Sequence, residues 1–143
     1  MTSYILDAST AAAWLLPARD EPLSGPATQI QRKYATGQIQ LLAPDLILPE
    51  IGNVLCKATR RARISANSAQ DTLDKFLALK IPIVPSRSLM KQALSIAEAR
   101  GGSVYDCVYV ALAIISQHPL LTADERLANM MAAYYPVHWL GAI

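Results

Sequence analysis

Val104-Tyr105-Asp106-Cys107-Val108-Tyr109-Val110-Ala111-Leu112-Ala113-Ile114-Ile115 is apolar on every face of a helix, with one charge, Asp106, in its first turn. A helix without a polar face is normally buried, so this segment belongs inside the fold. A carboxylate at the mouth of such a helix is costly unless a cation or hydrogen bonds compensate it. Ser103 stands three residues before Asp106, the spacing of a capping box in which Ser103 caps and Asp106 reaches back. Gly101-Gly102, just upstream, is a strong stop signal for the helix before it.

Outward from this segment, short apolar runs alternate with helical patterns. Strands are expected at Ser3–Leu6, Ile39–Leu42, Ile81–Val84, Leu120–Thr122 and Val137–Leu140. Helices are expected at Thr10–Leu16, Ala27–Ala35, Leu48–Arg61, Ser68–Leu79, Ser88–Arg100, Ser103–Gln117 and Glu125–Ala133. Pro49 falls in a first turn, where its missing N–H matters least. Such alternation implies an α/β fold: one domain over residues 1–143, with a mostly parallel central sheet of four to five short strands flanked by helices. In open sheets of this kind ligands bind beyond the carboxyl ends of the strands.

Composition narrows the function classes. The chain has 143 residues, 52% hydrophobic and 17% charged, which suits one well-cored domain and argues against disorder. A net charge of +2 does not by itself indicate nucleic acid. No apolar run approaches the ~18 residues of a membrane span. The start Met1-Thr2-Ser3-Tyr4 lacks a basic segment and a cleavage pattern, so a cytoplasmic protein is expected. Cys56 and Cys107 both fall in helical segments among apolar neighbours and read as small buried hydrophobes rather than a disulfide. Neither His118 nor His138 has zinc-ligand spacing, and there is no GxxxxGK or GxGxxG phosphate loop.

Four acids occupy the edge where ligands are expected. Asp7 and Asp124 each follow a strand, and Glu50 and Asp106 each stand in the first turn of a helix. Each has an ordinary role available. Asp7 could cap the next helix, Glu50 could favour its helix dipole, and Thr122 could cap the helix after Asp124 with Glu125 as box partner. Together they are more specific. Carboxylates converging on one sheet edge repel unless protonated or neutralised by cations. Magnesium, with manganese as a substitute, suits an all-oxygen set and keeps several of its waters. One or two such ions can activate water and stabilise a displaced oxygen, the chemistry of phosphodiester hydrolysis.

The segments Tyr4-Ile5-Leu6-Asp7-Ala8-Ser9, Pro49-Glu50-Ile51-Gly52-Asn53-Val54-Leu55, Tyr105-Asp106-Cys107-Val108-Tyr109-Val110-Ala111-Leu112-Ala113 and Leu121-Thr122-Ala123-Asp124-Glu125-Arg126-Leu127 occur in this order. With them the chain resembles PIN-domain ribonucleases, most closely the VapC-type toxins of toxin–antitoxin pairs. The resemblance covers nearly the whole chain. It implies a metal-dependent endoribonuclease in which Asp7, Glu50 and Asp106 form the acidic core and Asp124 is the fourth acid. Ser9, Asn53 and Thr122 match flanking polar positions that orient carboxylates or metal-bound waters. The resemblance also implies a homodimer, and a cognate antitoxin whose inserted arginine pairs with the acids.

Lys57, Arg60, Arg61 and Arg63 lie on or just after the Glu50 helix. Lys57 falls roughly 10 Å along the axis from Glu50, so this basic track can hold an RNA backbone or simply favour the helix end. Three rival readings fit less well. A phosphoacceptor receiver needs an acidic pair after the first strand and a later lysine, but Ala8-Ser9 follows Asp7. A haloacid-type phosphatase needs a second Asp where Ser9 stands. A degenerate PIN domain serving only to bind RNA or protein is opposed by the presence of all four acids.

Overall fold

The structure, a computed structural model, describes residues 1–143. Strands β1 (Thr2–Leu6), β2 (Ile39–Pro44), β3 (Ile83–Val84), β4 (Leu120–Thr122) and β5 (Val137–Trp139) form one sheet in the order β3-β2-β1-β4-β5. Every pairing is parallel, with Tyr4 opposite Leu41, Leu6 opposite Leu121, and Thr122 opposite Trp139. The expected mostly parallel sheet is therefore wholly parallel. Helices α1 (Ala8–Leu15), α2 (Ser24–Ala35), α3 (Ile47–Arg60), α4 (Ala66–Ala78), α5 (Met90–Arg100), α6 (Val104–Ser116) and α7 (Glu125–Met131) flank it. No helix is long and apolar enough to cross a membrane.

The strand order locates a switch point. The chain winds outward from β1 to β2 and β3, then returns to the other side of β1 for β4 and β5. The crevice between the carboxyl ends of β1 and β4 is where such sheets bind ligands. Asp7 directly follows β1, and Asp124 stands two residues beyond β4.

Helix α6 confirms the reading of the apolar segment. Its residues Cys107 to Ala113 are consecutively buried, while Tyr105 and Ile115 emerge at its ends. It lies across β1, β2 and β4 and packs against α5. Each large side chain so buried contributes about 1.5–3 kcal/mol. Ser103 caps it, its hydroxyl accepting the Asp106 N–H at 3.1 Å.

Several boundaries differ from the pattern reading. Helix α2 begins at Ser24 rather than Ala27, because Gly25 and Pro26 fall in its first turn, where N–H groups are unbonded anyway. The strand expected at Ile81–Val84 shrinks to Ile83–Val84, an edge strand paired only with β2. Ser86–Leu89 forms a 3₁₀ turn before α5. Cys56 is exposed, contrary to expectation. One residue is about 100° of helix, which turns Cys56 away from buried Leu55 toward the face carrying exposed Lys57 and Arg60.

Thr10 ties α1 to the sheet beneath the crevice. It is fully buried, and its hydroxyl donates to the Leu121 carbonyl at 2.8 Å. Thr10→Val keeps the shape and removes the donor, leaving that carbonyl only the Asp7 N–H at 3.3 Å. Denaturant unfolding is expected to show a loss of about 1–2 kcal/mol; an unchanged midpoint would mean the bond adds nothing to stability.

Candidate active site

Asp7 occupies the N-cap position of α1, yet its side chain makes no capping hydrogen bond. The ordinary role open to it in the sequence is thus not the one it takes. Its carboxylate is buried, 6% exposed, and Oδ2 accepts the hydroxyls of Ser9 at 2.8 Å and Thr122 at 2.6 Å. The two hydroxyls also contact each other at 3.2 Å. Ser9 Oγ further accepts the Ala123 N–H, and Thr122 Oγ1 the Asp124 N–H, both at 3.0 Å. These bonds knit the end of β1 to the end of β4 across the switch point.

Glu50 is half-buried in the first turn of α3, with Oε1 accepting the Tyr109 hydroxyl at 2.5 Å. Tyr109, on α6, is 1% exposed, and burial beside Asp7 and Glu50 pushes its hydroxyl far above the ordinary range. It therefore stays a proton donor aimed at Glu50. In the sequence Tyr109 stands out only as part of a motif; the signal for its role is a polar tip on a buried helix, which needs a partner. Asp124, not Thr122, caps α7: its Oδ1 accepts the Leu127 N–H at 3.1 Å. Thr122 is buried and bonds Asp7 instead.

The acids form one electrostatic group. Burial raises the carboxyl of Asp7 above its ordinary range; Thr122 and Ser9 pull it down, and Asp106 pushes it up again. Burial likewise raises Glu50, opposed by the Tyr109 hydrogen bond and reinforced by Asp7 and Asp106. For Asp106, burial leads, Ser103 opposes it, Asp124 repels and Arg126 attracts. No lysine or arginine forms an ion pair with any of the four; the ion pairs all involve Asp20 and Glu21.

The four acids are neighbours, but no three are drawn into a ready-made metal cage. Repulsion within the metal-free group opposes closer approach, Glu50 is tethered to Tyr109, and Asp124 is committed to its helix. The chemistry still fits a hard divalent cation. The donors are all oxygens, no lysine or arginine is ion-paired with them, and magnesium keeps most of its waters.

Of the expected flanking groups, Ser9 and Thr122 bond Asp7 directly. Asn53 is exposed, and its side chain bonds none of the acids. Lys57, Arg60 and Arg61 are exposed and unpaired, whereas Arg63 is held by Asp20 and Glu21 at 3.3 and 3.4 Å.

A carboxyl raised in the folded state binds its proton more readily there than in the unfolded chain. Stability from such a group is present at low pH and declines as pH rises through its folded pKa. Metal-free Asp7→Asn is therefore expected to melt about 3 °C or more above the parent at pH 7. The gap should narrow toward pH 4, and thermal melts in EDTA across this range measure it. Coincident melting curves at every pH would mean that burial does not raise the Asp7 carboxyl.

A family model described as PIN domain matches residues 4–132. Ribonuclease VapC3 of Pyrobaculum aerophilum is 33% identical over 133 residues, covering 90% of this chain and 95% of that protein. Ribonuclease VapC9 of Mycobacterium tuberculosis is 31% identical over 134 residues, covering 93% and 94%. Among solved structures, PAE2754 from Pyrobaculum aerophilum superposes with a TM-score of 0.71 at 22% identity, covering 99% of this chain and 85% of that one. VapBC2 from Rickettsia felis, bound to a DNA fragment from its promoter, gives 0.66 at 12% identity, covering 96% and 98%. With the sheet order, the acids at its switch point and near full-length matches in hand, this chain belongs to the PIN domain family, among its VapC-type members.

Proposed function

We propose that this chain is a metal-dependent endoribonuclease, the toxin of a toxin–antitoxin pair, which hydrolyses RNA phosphodiester bonds at the β1–β4 crevice. The observation that carries the reading is Asp7. It is buried, freed from capping, hydrogen-bonded by Ser9 and Thr122, and surrounded by three further acids with no ion-paired cation. Relatives that match over nearly their whole length are named ribonucleases, which supports the same reaction here.

Asp7, Glu50, Asp106 and Asp124 are the groups that hold magnesium or manganese. When bound, the ion supplies Lewis-acid activation of water and neutralises charge on the phosphate. The chain's residues do the positioning. Ser9 and Thr122 fix the rotamer of Asp7 through Oδ2. Tyr109 turns Glu50 inward, toward Asp7 and Asp106, rather than to solvent. Ser103 fixes the first turn of α6 and with it Asp106. Lys57, Arg60 and Arg61, unpaired on and beyond the end of α3, take the RNA backbone. The Rickettsia felis structure is of a VapBC pair, and by analogy the partner here is a small antitoxin that covers the acids. We further assign the toxin a homodimeric state and a cytoplasmic location.

A fluorogenic RNA assay with magnesium or manganese is expected to show cleavage that EDTA stops. Asp7→Asn or Asp106→Asn should lower it by at least a hundredfold while the circular dichroism spectrum is kept. Equal activity in the parent and both variants would assign the cleavage elsewhere, and a folded parent inert with either metal would leave a binding module. For the basic track, Arg60→Ala with Arg61→Ala is expected to weaken RNA binding and reduce the slope of log affinity against log salt by about one to two. An unaltered slope would remove these residues from the interface.

A further inference from the structure

Beside the acids lies a cavity of about 610 Å³ to which no role has been given. That size falls within the range of small-molecule sites. Ser9, which bonds Asp7, and Asp124, which neighbours Asp106, both line it, so it adjoins the acidic group. Its walls are largely apolar, formed by Leu23, alanines of α1 and the indole of Trp139, with Glu21 and Glu125 also in the lining. Trp139 ends β5 directly opposite Thr122, the residue that bonds Asp7.

Gly141 sets the place of the indole. A Cβ there would stand 2.4 Å from Cζ2 of the Trp139 ring, so the ring lies against bare backbone.

The occupant follows from the chemistry. Carboxylates in the lining repel phosphate, so the RNA backbone is not what enters. A planar, uncharged group with apolar faces and N–H donors on its edge meets both walls and acids. Glu21 is already engaged by Arg63 at 3.4 Å, whereas Glu125 is exposed and has no ion-pair partner, so Glu125 is the free acceptor. Guanine offers N1–H and an amino group to one carboxylate; uracil offers a single N–H flanked by carbonyls that a carboxylate repels.

We infer that this cavity is a base pocket that holds a guanine next to the scissile phosphate, stacked on Trp139 and read by Glu125. The inference rests on the ribonuclease reading above and gives it a substrate feature. Trp139 and Glu125 are specificity residues and take no part in bond cleavage.

The test is cleavage of a randomised short single-stranded RNA pool, followed by sequencing of the cut ends. The parent is expected to favour guanine at one position flanking the cut. Trp139→Ala and Glu125→Gln should each reduce that preference by about tenfold, the scale of one stacking or edge contact, and still cut the other sequences. Trp139→Phe keeps a stacking face and should retain most of the preference. Should Trp139→Ala not fold, Glu125→Gln, a change on the surface, decides alone. A base preference identical to the parent's in Glu125→Gln and in every folded Trp139 variant would overturn the pocket. Binding separates failure of the pocket from failure of the nuclease reading. In a Trp14→Phe background with EDTA, the nucleoside guanosine, which carries no phosphate, should quench Trp139 fluorescence about tenfold more tightly than uridine. Such quenching without any RNA cleavage would keep the pocket and remove the nuclease; cleavage with unchanged preference and no quenching would do the reverse.

Discussion

A carboxylate buried at the end of the central strand is the constraint around which the rest of this fold is arranged. The backbone around Asp7 has no freedom. Its N–H bonds the Leu121 carbonyl, and its carbonyl receives the N–H groups of Thr10 and Ala11 at the start of α1. The main chain is thus committed to sheet and helix at once, and only the side chain is left over. An ionised group in that position is tolerable only when it is hydrogen-bonded. Thr122 and Ser9 meet that need from β4 and α1, and Thr10 anchors the same helix one residue further on.

The other acids are admitted on the same terms. Asp106 sits in the first turn of α6, where the helix dipole favours a negative charge and Ser103 holds the turn. One turn further the helix is sealed on all sides, and Tyr109 uses its buried ring for packing and its hydroxyl for Glu50. That bond joins residues 59 apart in sequence and links α3 to α6 at the crevice. The raised carboxyls of Asp7, Glu50 and Asp106 show what this arrangement costs the metal-free chain. Proteins commonly accept such a loss of stability where a site requires it.

Much of this was legible in the residues. Apolar runs and Gly101-Gly102 placed nearly every element, because burial and helix termination are local signals. The acids stood out because each sat where a parallel sheet turns its carboxyl edge to solvent. What escaped was non-local. The strand order, and with it the β1–β4 switch point, depends on which strands pair, which no local pattern encodes. The Tyr109–Glu50 bond depends on two helices meeting. Arg63 reads as one of four basic residues in a track, but Asp20 and Glu21, more than forty positions earlier, claim it. Cys56 among apolar neighbours reads as buried, yet one residue of helical rotation from Leu55 exposes it. Asp124 and Thr122 exchange capping roles because Thr122, at the end of β4, is drawn inward by Asp7.

The charge layout adds a coupling on the ribonuclease reading. The unpaired residues of the α3 track, Lys57, Arg60 and Arg61, lie on or beyond the end of α3, whereas Glu50 lies in its first turn among the acids. A polyanion is therefore attracted to one end of α3 and repelled from the other. Without a divalent ion, a phosphate at the basic end would be kept from Asp7 by the charge of the acids. A bound divalent ion would offset about half of the acids' formal charge and weaken that repulsion. Cation and RNA must then strengthen each other's binding by an equal factor, since linkage is reciprocal.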